Sequence, residues 1–337
     1  MFHSSSTSRR LCLWAILLLF GAAQSHAQDA ESRVWPAAPD TARIRYLGAI
    51  ARGQDIGADR SFLEKLWDAI IGSETESDFF IQPVGIAVDD GGRIFVSDPG
   101  GSCIHMFDRE EQEYMRITEG PDGLLGTPVG IAFADGRIYV TDALRKEVVV
   151  FDEDLDPEFS FPTGMSRPTG IASRESRIYI TDTGEHVIGI FDLAGVRMSG
   201  FGQRGGEPGQ FNYPLFLTFK RNLYVVDVLN HRIQVLDTAG ASIRTFGTLG
   251  NVQGTFAAPK GIALDSDTNI YVVDALFDAF QIFDSGGRLL LVVGGSGSDP
   301  GSFQSPGGIW IDADNVIYVV DTLNKRVQMF QYLAKAQ

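Results

Sequence analysis

The sequence is poor in cysteine. Cys12 and Cys103 are the only two, so a disulfide-stapled fold is excluded and stability has to come from packing. Positive charge is also scarce: 28 Lys and Arg stand against 43 Asp and Glu, a formal net charge of -15. That balance argues against nucleic acid and against an anionic membrane surface as partners, because both need a basic patch. Long apolar runs are missing too. LCLWAILLLFGAA, beginning at Leu11, is 13 residues and too short to span a bilayer. No Gly-x-Ser-x-Gly, no His-Glu-x-x-His and no pair of catalytic carboxylates stands out, so no catalytic residue and no cofactor is assigned.

That apolar run belongs to a leader. Arg9 and Arg10 precede it, and Ser25-His26-Ala27 puts small residues three before and one before a cut. Residues 1–27 therefore read as a signal peptide, and the mature chain is expected to be exported, periplasmic or secreted. The Ser8-Arg9-Arg10 triplet resembles a twin-arginine signal, whereas the very apolar core favours the general secretory route. Cleavage removes two arginines and no acid, which takes the formal charge from -15 to -17 and leaves Cys103 as a lone thiol expected to be buried.

What is present is a repeat. FGQRGGEPGQFNYP, Phe201 to Pro214, has glycines spaced like a phosphate cradle. Such a cradle needs a helix to follow it, and here strand-like LFLTFKRNLYVVD follows instead. Related connectors recur at 246–259 and 293–306. A Pro-x-Gly-Ile-Ala-type run starts at Pro83, Pro128, Pro168, Pro214, Pro259 and Pro306, at intervals of 45, 40, 46, 45 and 47 residues. Each is followed by an apolar run ending in Asp98, Asp142, Asp182, Asp227, Asp274 or Asp321, then by a third run and a weaker fourth. Four short strands per unit make a small antiparallel sheet that cannot bury both faces alone; six arranged radially can. The spacing predicts an all-β, six-bladed β-propeller over residues 79–331. The sixth unit lacks a fourth strand, and RIRYLGAI, residues 43–50, is expected to supply it and close the ring. Residues 28–42 read as an extended Pro/Ala linker and 332–337 as a tail. Within 51–78, SFLEKLWDAIIG has the apolar spacing of one short amphipathic helix, with Ser61 and Glu64 as a capping box.

Units such as YVVDVLNHRIQVLD, 224 to 237, with a Phe-Gly and glycine-rich stretch before them, resemble NHL repeats, and the lead WPAAPDTARIRYLGAI with the helix after it is similar to secreted bacterial members of that group. The resemblance covers all six units and implies the fold rather than a function. Blades 1 and 5 depart from its Asp-x-x-Asn-x-Arg pattern: DPGGSC lacks both Asn and Arg, and Phe277 stands at the Asn position of DALFDAF. Related propellers include ubiquitin-ligase and RNA-binding proteins, but the acidic charge, the leader and the lack of RING cysteines count against those roles.

The alternation of strands puts the six aspartates and the glycine-rich connectors on one face, called here the Asp face. Six aspartates could bind cations, although an Asp in every unit is explained by its own turn. His186 and His231 each follow their Asp by four residues; without a third ligand they do not make a zinc site, and His105 lies in another strand. The informative residues break the repeat. Phe216 replaces the glycine of Pro-x-Gly, Trp310 replaces a small inner-strand residue, and Phe277 and Arg145 lie in Asp-face loops. Phe216, Arg145, Phe277, His186 and His231 are therefore the candidate ligand-binding residues. The opposite face, built of turns such as DDGGR and ADGR, is expected to offer little area. The expected function is a non-catalytic, monomeric binding scaffold that presents the Asp face to a protein, peptide or glycan. The alternative is a metal-dependent propeller enzyme of lactonase or amidating-lyase type.

Overall fold

A computed structural model describes residues 33–57 and 79–333. The predicted helix within 51–78 and the leader fall outside those residues. Six antiparallel sheets form a six-bladed β-propeller. Among the described residues no helix is long and apolar enough to cross a membrane.

Blade 4 shows how each unit works. Its strands are Pro214–Phe219, Leu223–Asp227, Arg232–Leu236 and Ser242–Phe246, in order from the axis outward. The second strand is buried throughout, so its run is continuously apolar rather than alternating. Leu223 and Val225 pack toward blade 3, while Tyr224 and Val226 pack toward blade 5. Six hydrophobic clusters fill the six gaps between neighbouring blades in this way. The core is thus a ring of interfaces, and each sheet is stable because both of its faces are covered.

Near the axis the inner strands approach closely. A Cβ on Gly130 would stand 2.5 Å from the Thr169 carbonyl, and one on Gly170 would stand 2.2 Å from that of Leu215. Hydroxyls link blades 1 to 4 at this level. Gly130 N donates to Thr141 Oγ1 at 2.9 Å, and Thr141 Oγ1 donates to Thr169 O at 2.5 Å. Ser97 and Thr181 act likewise toward Val129 O and Leu215 O.

Blade 6 contributes Ile309–Ile311, Val316–Asp321 and Arg326–Tyr332, and the chain's own N-terminal strand Ile44–Ile50 pairs antiparallel with the last of these. The register runs from Ile44 opposite Tyr332 to Ile50 opposite Val327, with a bulge between Tyr46 and Gly48. The bulge reverses which side each residue faces. Ile44 and Tyr46 enter the cluster shared with blade 5, whereas Ile50 enters the one shared with blade 1. One strand therefore seals both seams of the ring.

The reading of 28–42 as a linker needs correction over its described part. Val34–Trp35 pairs with Ile44–Ile50 as a fifth strand of blade 6, and Trp35 meets Phe330 edge-on at 5.7 Å. The apolar anchor is Trp35, which a Pro/Ala-rich composition concealed. After the closing strand, Gly53–Ile56 forms a 3-10 turn with Ile56 in the cluster between blades 6 and 1.

Candidate functional site

The Asp face is organised by its aspartates, each at most 1% exposed. Each carboxylate accepts backbone N–H groups from the connector that enters its own blade. Asp142 binds Gly126 N at 2.6 Å and Thr127 N at 2.9 Å, and Asp182 binds Ser166 N at 2.7 Å and Arg167 N at 3.0 Å. In blade 4, Asp227 accepts from Asn212 N (2.6 Å), Asn230 Nδ2 (2.8 Å), Arg232 Nε (2.8 Å) and Gln234 Nε2 (3.1 Å). Asp321 repeats that set with Gln304 N, Asn324, Arg326 and Gln328. These are charge-assisted bonds in a buried setting, and they saturate the carboxylates. Among the described residues no group of His, Cys, Asp and Glu has the geometry of a metal site.

The glycine-rich connector also points the wrong way for phosphate. Its carbonyls turn inward, where Arg232 donates to Gly206 O, Glu207 O and Gln210 O and Asn230 donates to Gly205 O, and the N–H groups of Gly209 and Asn212 are taken by Gln234 and Asp227. Phe211, Phe256 and Phe303 anchor the three long connectors in the core. Gly202, at φ 95°, lies so near the Phe211 ring that a Cβ would approach it within 2.7 Å.

The candidate residues are spread over this face rather than gathered. Arg145 is engaged locally, with Nε 2.5 Å from Glu147 Oε1 and Nη1 donating to Leu124 O. His186 accepts the Tyr213 N–H on Nδ1 at 2.9 Å, which ties blade 3 to the next connector. His231 caps the Val228–Asn230 turn in the left-handed region, and its buried Nδ1 has no hydrogen-bond partner among the described residues. Phe277 is half-buried in its turn, its N–H 3.3 Å from Asp274 Oδ1. Phe216 packs against the cluster between blades 4 and 5 and lines the axial channel with Leu217 and Trp310. There the channel narrows to a space of about 30 Å³.

Three features escaped the sequence. First, His105 is joined to the Asp98 turn instead of standing apart. It occupies the position of Gln234 and Gln328, and its Nε2 lies 3.5 Å from Asp98 Oδ2 and 3.3 Å from Cys103 Sγ. Burial works against the Asp98 carboxylate, but His105 and the N–H groups of Ile81, Gln82 and Gly101 hold its pKa below the ordinary value. Cys103 is fully buried, and desolvation pushes its thiol up to about 11, so it stays protonated and is no nucleophile. Second, Lys260 is the one charged residue at the middle position of the Pro-x-Gly runs. It is half-buried, its Nζ is 3.5 Å from Ser305 Oγ, and burial lowers its pKa against the pull of Asp274. Its lone charge among Val84, Val129, Thr169, Leu215 and Gly307 was the available signal.

Third, exposed leucines recur two residues after the aspartate. Leu144, Leu229, Leu276 and Leu323 are 70, 54, 73 and 63% exposed. Phe79, Ile81, Leu124, Leu249 and Val252, in the connectors of the same face, are at least half exposed as well. The opposite face offers more than the little area expected of it. A cavity of about 690 Å³ opens there among the turns of blades 1 and 2 and the ends of the inner strands of blades 3, 4 and 6.

Residues 80–107 match the NHL repeat family, and residues 263–334 match the family described as "6-bladed beta-propeller". No curated protein sequence matches the chain. Among solved structures, a Bacteroides thetaiotaomicron VPI-5482 protein of unknown function shares 15% identity at a TM-score of 0.62, over 84% of this chain and 75% of that one. An auxiliary nutrient binding protein from the same organism shares 15% at a TM-score of 0.60, over 75% and 69%. Virginiamycin B lyase from Staphylococcus aureus shares 15% at a TM-score of 0.54, over 75% and 95%. At these identities the likeness is one of fold. The chain carries a match to the NHL repeat and is a six-bladed β-propeller.

Proposed function

We propose that the protein is a non-catalytic, exported binding scaffold whose Asp face docks a protein or peptide partner. The observation that carries this reading is the set of four exposed leucines at one repeat position. The fold does not require them, because Gly100 and Gly184 occupy the same position in blades 1 and 3. Together with the connector residues they place nine of the fifteen large exposed apolar side chains of the described residues on one face. Apolar side chains gathered in this way mark interaction surfaces. Aliphatic side chains far outnumber the one exposed ring of this face, Phe79, and that balance favours a polypeptide over a glycan. Saturated aspartates and a His186 ring already engaged by the Tyr213 N–H disfavour the metal-dependent enzyme, and a nutrient-binding propeller of similar fold is an analogy in the same direction.

The test uses mature protein as bait in an extract of the exported proteins of its source, with wild type beside a variant carrying L144S, L229S, L276S and L323S. The variant is expected to melt as wild type does, since surface changes of this kind cost little, and to lose the captured partner. A folded variant that retains the partner in full would refute the reading. Sedimentation of the bait alone should give a monomer. N-terminal sequencing of the exported form should begin at Gln28, and a product that begins at Met1 would overturn the export assignment.

A further inference from the structure

The turn-face cavity has features that neither the repeat nor the Asp-face reading explains. Its floor carries Trp310, where the other five blades have Ala87, Ala132, Ala172, Thr218 and Ala263. Trp310 leans on the clusters between blades 6 and 1 and between blades 1 and 2, and it meets Phe133 edge-on at 6.4 Å. Its indole N–H finds no acceptor among the described residues. Ile131, Ile171, Leu217 and Phe219 complete an apolar wall. The rim is acidic. Asp90, Asp135 and Glu153 line it and none forms an ion pair among the described residues, while the two lining arginines are already engaged, Arg93 with Asp89 at 2.7 Å and Arg137 with Glu158. Rings at this end of the propeller already take guanidinium groups on their faces: Arg93 lies 5.6 Å from the Phe95 centroid, and Arg174 lies 5.6 Å from that of Phe219. Among the described residues Trp310 and Phe133 have no such partner.

We propose that this cavity is a second binding site, for an organic cation: an ammonium or guanidinium group on an apolar body, seated against Trp310 and Phe133 beneath the Asp135 and Glu153 carboxylates. Its volume suits a small ligand or one side chain of a larger one. Aromatic faces and unpaired carboxylates both favour a cation over a neutral molecule of equal shape, and the acidic charge of the whole chain raises its local concentration. The site is independent of the partner surface on the Asp face.

The experiment titrates the mature protein at low ionic strength with phenethylamine, with phenethyl alcohol as the neutral control, and with the peptide Ala-Lys-Ala, read by calorimetry and by tryptophan fluorescence. The amine or the lysine peptide should bind saturably and quench fluorescence, roughly tenfold more tightly than the alcohol, the order of a desolvated cation–aromatic contact. Binding of the free amine identifies a small-molecule ligand; binding of the peptide alone identifies a lysine side chain, and either supports the site. Trp310→Ala, which installs the residue of four other blades, should weaken binding at least about tenfold. The exposed pair Asp135→Asn with Glu153→Gln should weaken the amine and leave the alcohol unchanged, and it decides the matter even if Trp310→Ala fails to fold. Equal binding of amine and alcohol, full binding by the folded Trp310→Ala protein, or no binding of either cation at millimolar concentration would overturn the proposal.

Discussion

Closure of the ring by Ile44–Ile50 can be tested with one buried methyl-rich side chain. Ile44 is fully buried in the cluster between blades 5 and 6, opposite Tyr332. Truncation to alanine leaves a cavity against Phe330 and its neighbours, at a cost of about 2–5 kcal/mol. With an unfolding entropy of about 2.1 cal/mol/K per residue, each kcal/mol shifts the melting temperature of a chain of this size by about 1.5 °C, so the expected fall is roughly 3–8 °C. Ile243→Ala is the control. It removes the same atoms from the outer strand of blade 4, where the side chain is 55% exposed, and should change stability by about 0.5 kcal/mol or less. Removing the whole strand withdraws Ile44, Tyr46 and Ile50 together. At about 1.5–3 kcal/mol per side chain, that approaches the entire stability of a typical domain. It also bares the Arg326–Tyr332 edge, an invitation to aggregate. Circular dichroism melts of the three proteins give the answer. If Ile44→Ala and Ile243→Ala melt alike, or if the protein without the strand stays soluble with an unchanged melt, the strand does not close the ring.

Three further outcomes follow from the site. Lys260→Met should raise stability near neutral pH and flatten its pH dependence: a lysine pKa lowered by burial means the folded state binds fewer protons than the unfolded one, so wild-type stability should climb as pH rises toward the ordinary lysine value of about 10.4, and denaturant midpoints of both proteins on that limb check it. Phe216→Gly restores the repeat residue and should weaken an Asp-face partner by about 2 kcal/mol if the phenyl is an anchor; because Phe216 also packs between blades 4 and 5, its melt should fall as well, and unchanged affinity would make it a filler of the channel alone. Mature protein prepared without chelator should contain no stoichiometric zinc by elemental analysis, and one equivalent per chain that disappears in His186→Ala would favour the enzyme reading.

The fold was legible because its determinants are local and repeated. Each blade is a four-strand meander whose turns, apolar runs and terminal aspartate lie within about one period of sequence, and six copies average away the weakness of any single one. The missing fourth strand of blade 6 was legible for the same reason: a period with a gap at one end and an unassigned strand at the other has one economical solution. The departures from the period, Phe216, Trp310 and Phe277, could be singled out by position alone. Their surroundings could not. That Trp310 floors a cavity, that the bulge at Gly48 turns one strand toward two seams, and that His105 replaces a glutamine beside Asp98 all depend on groups far apart in the chain. The same holds for the leucines. Their recurrence is written in the sequence, but their exposure is set by how steeply the blades twist and how the connectors fold back over Asn230 and Arg232. Periodicity determined which residues are equivalent; closing the ring, a long-range packing event, decided which of those equivalents face a neighbour, a channel or water.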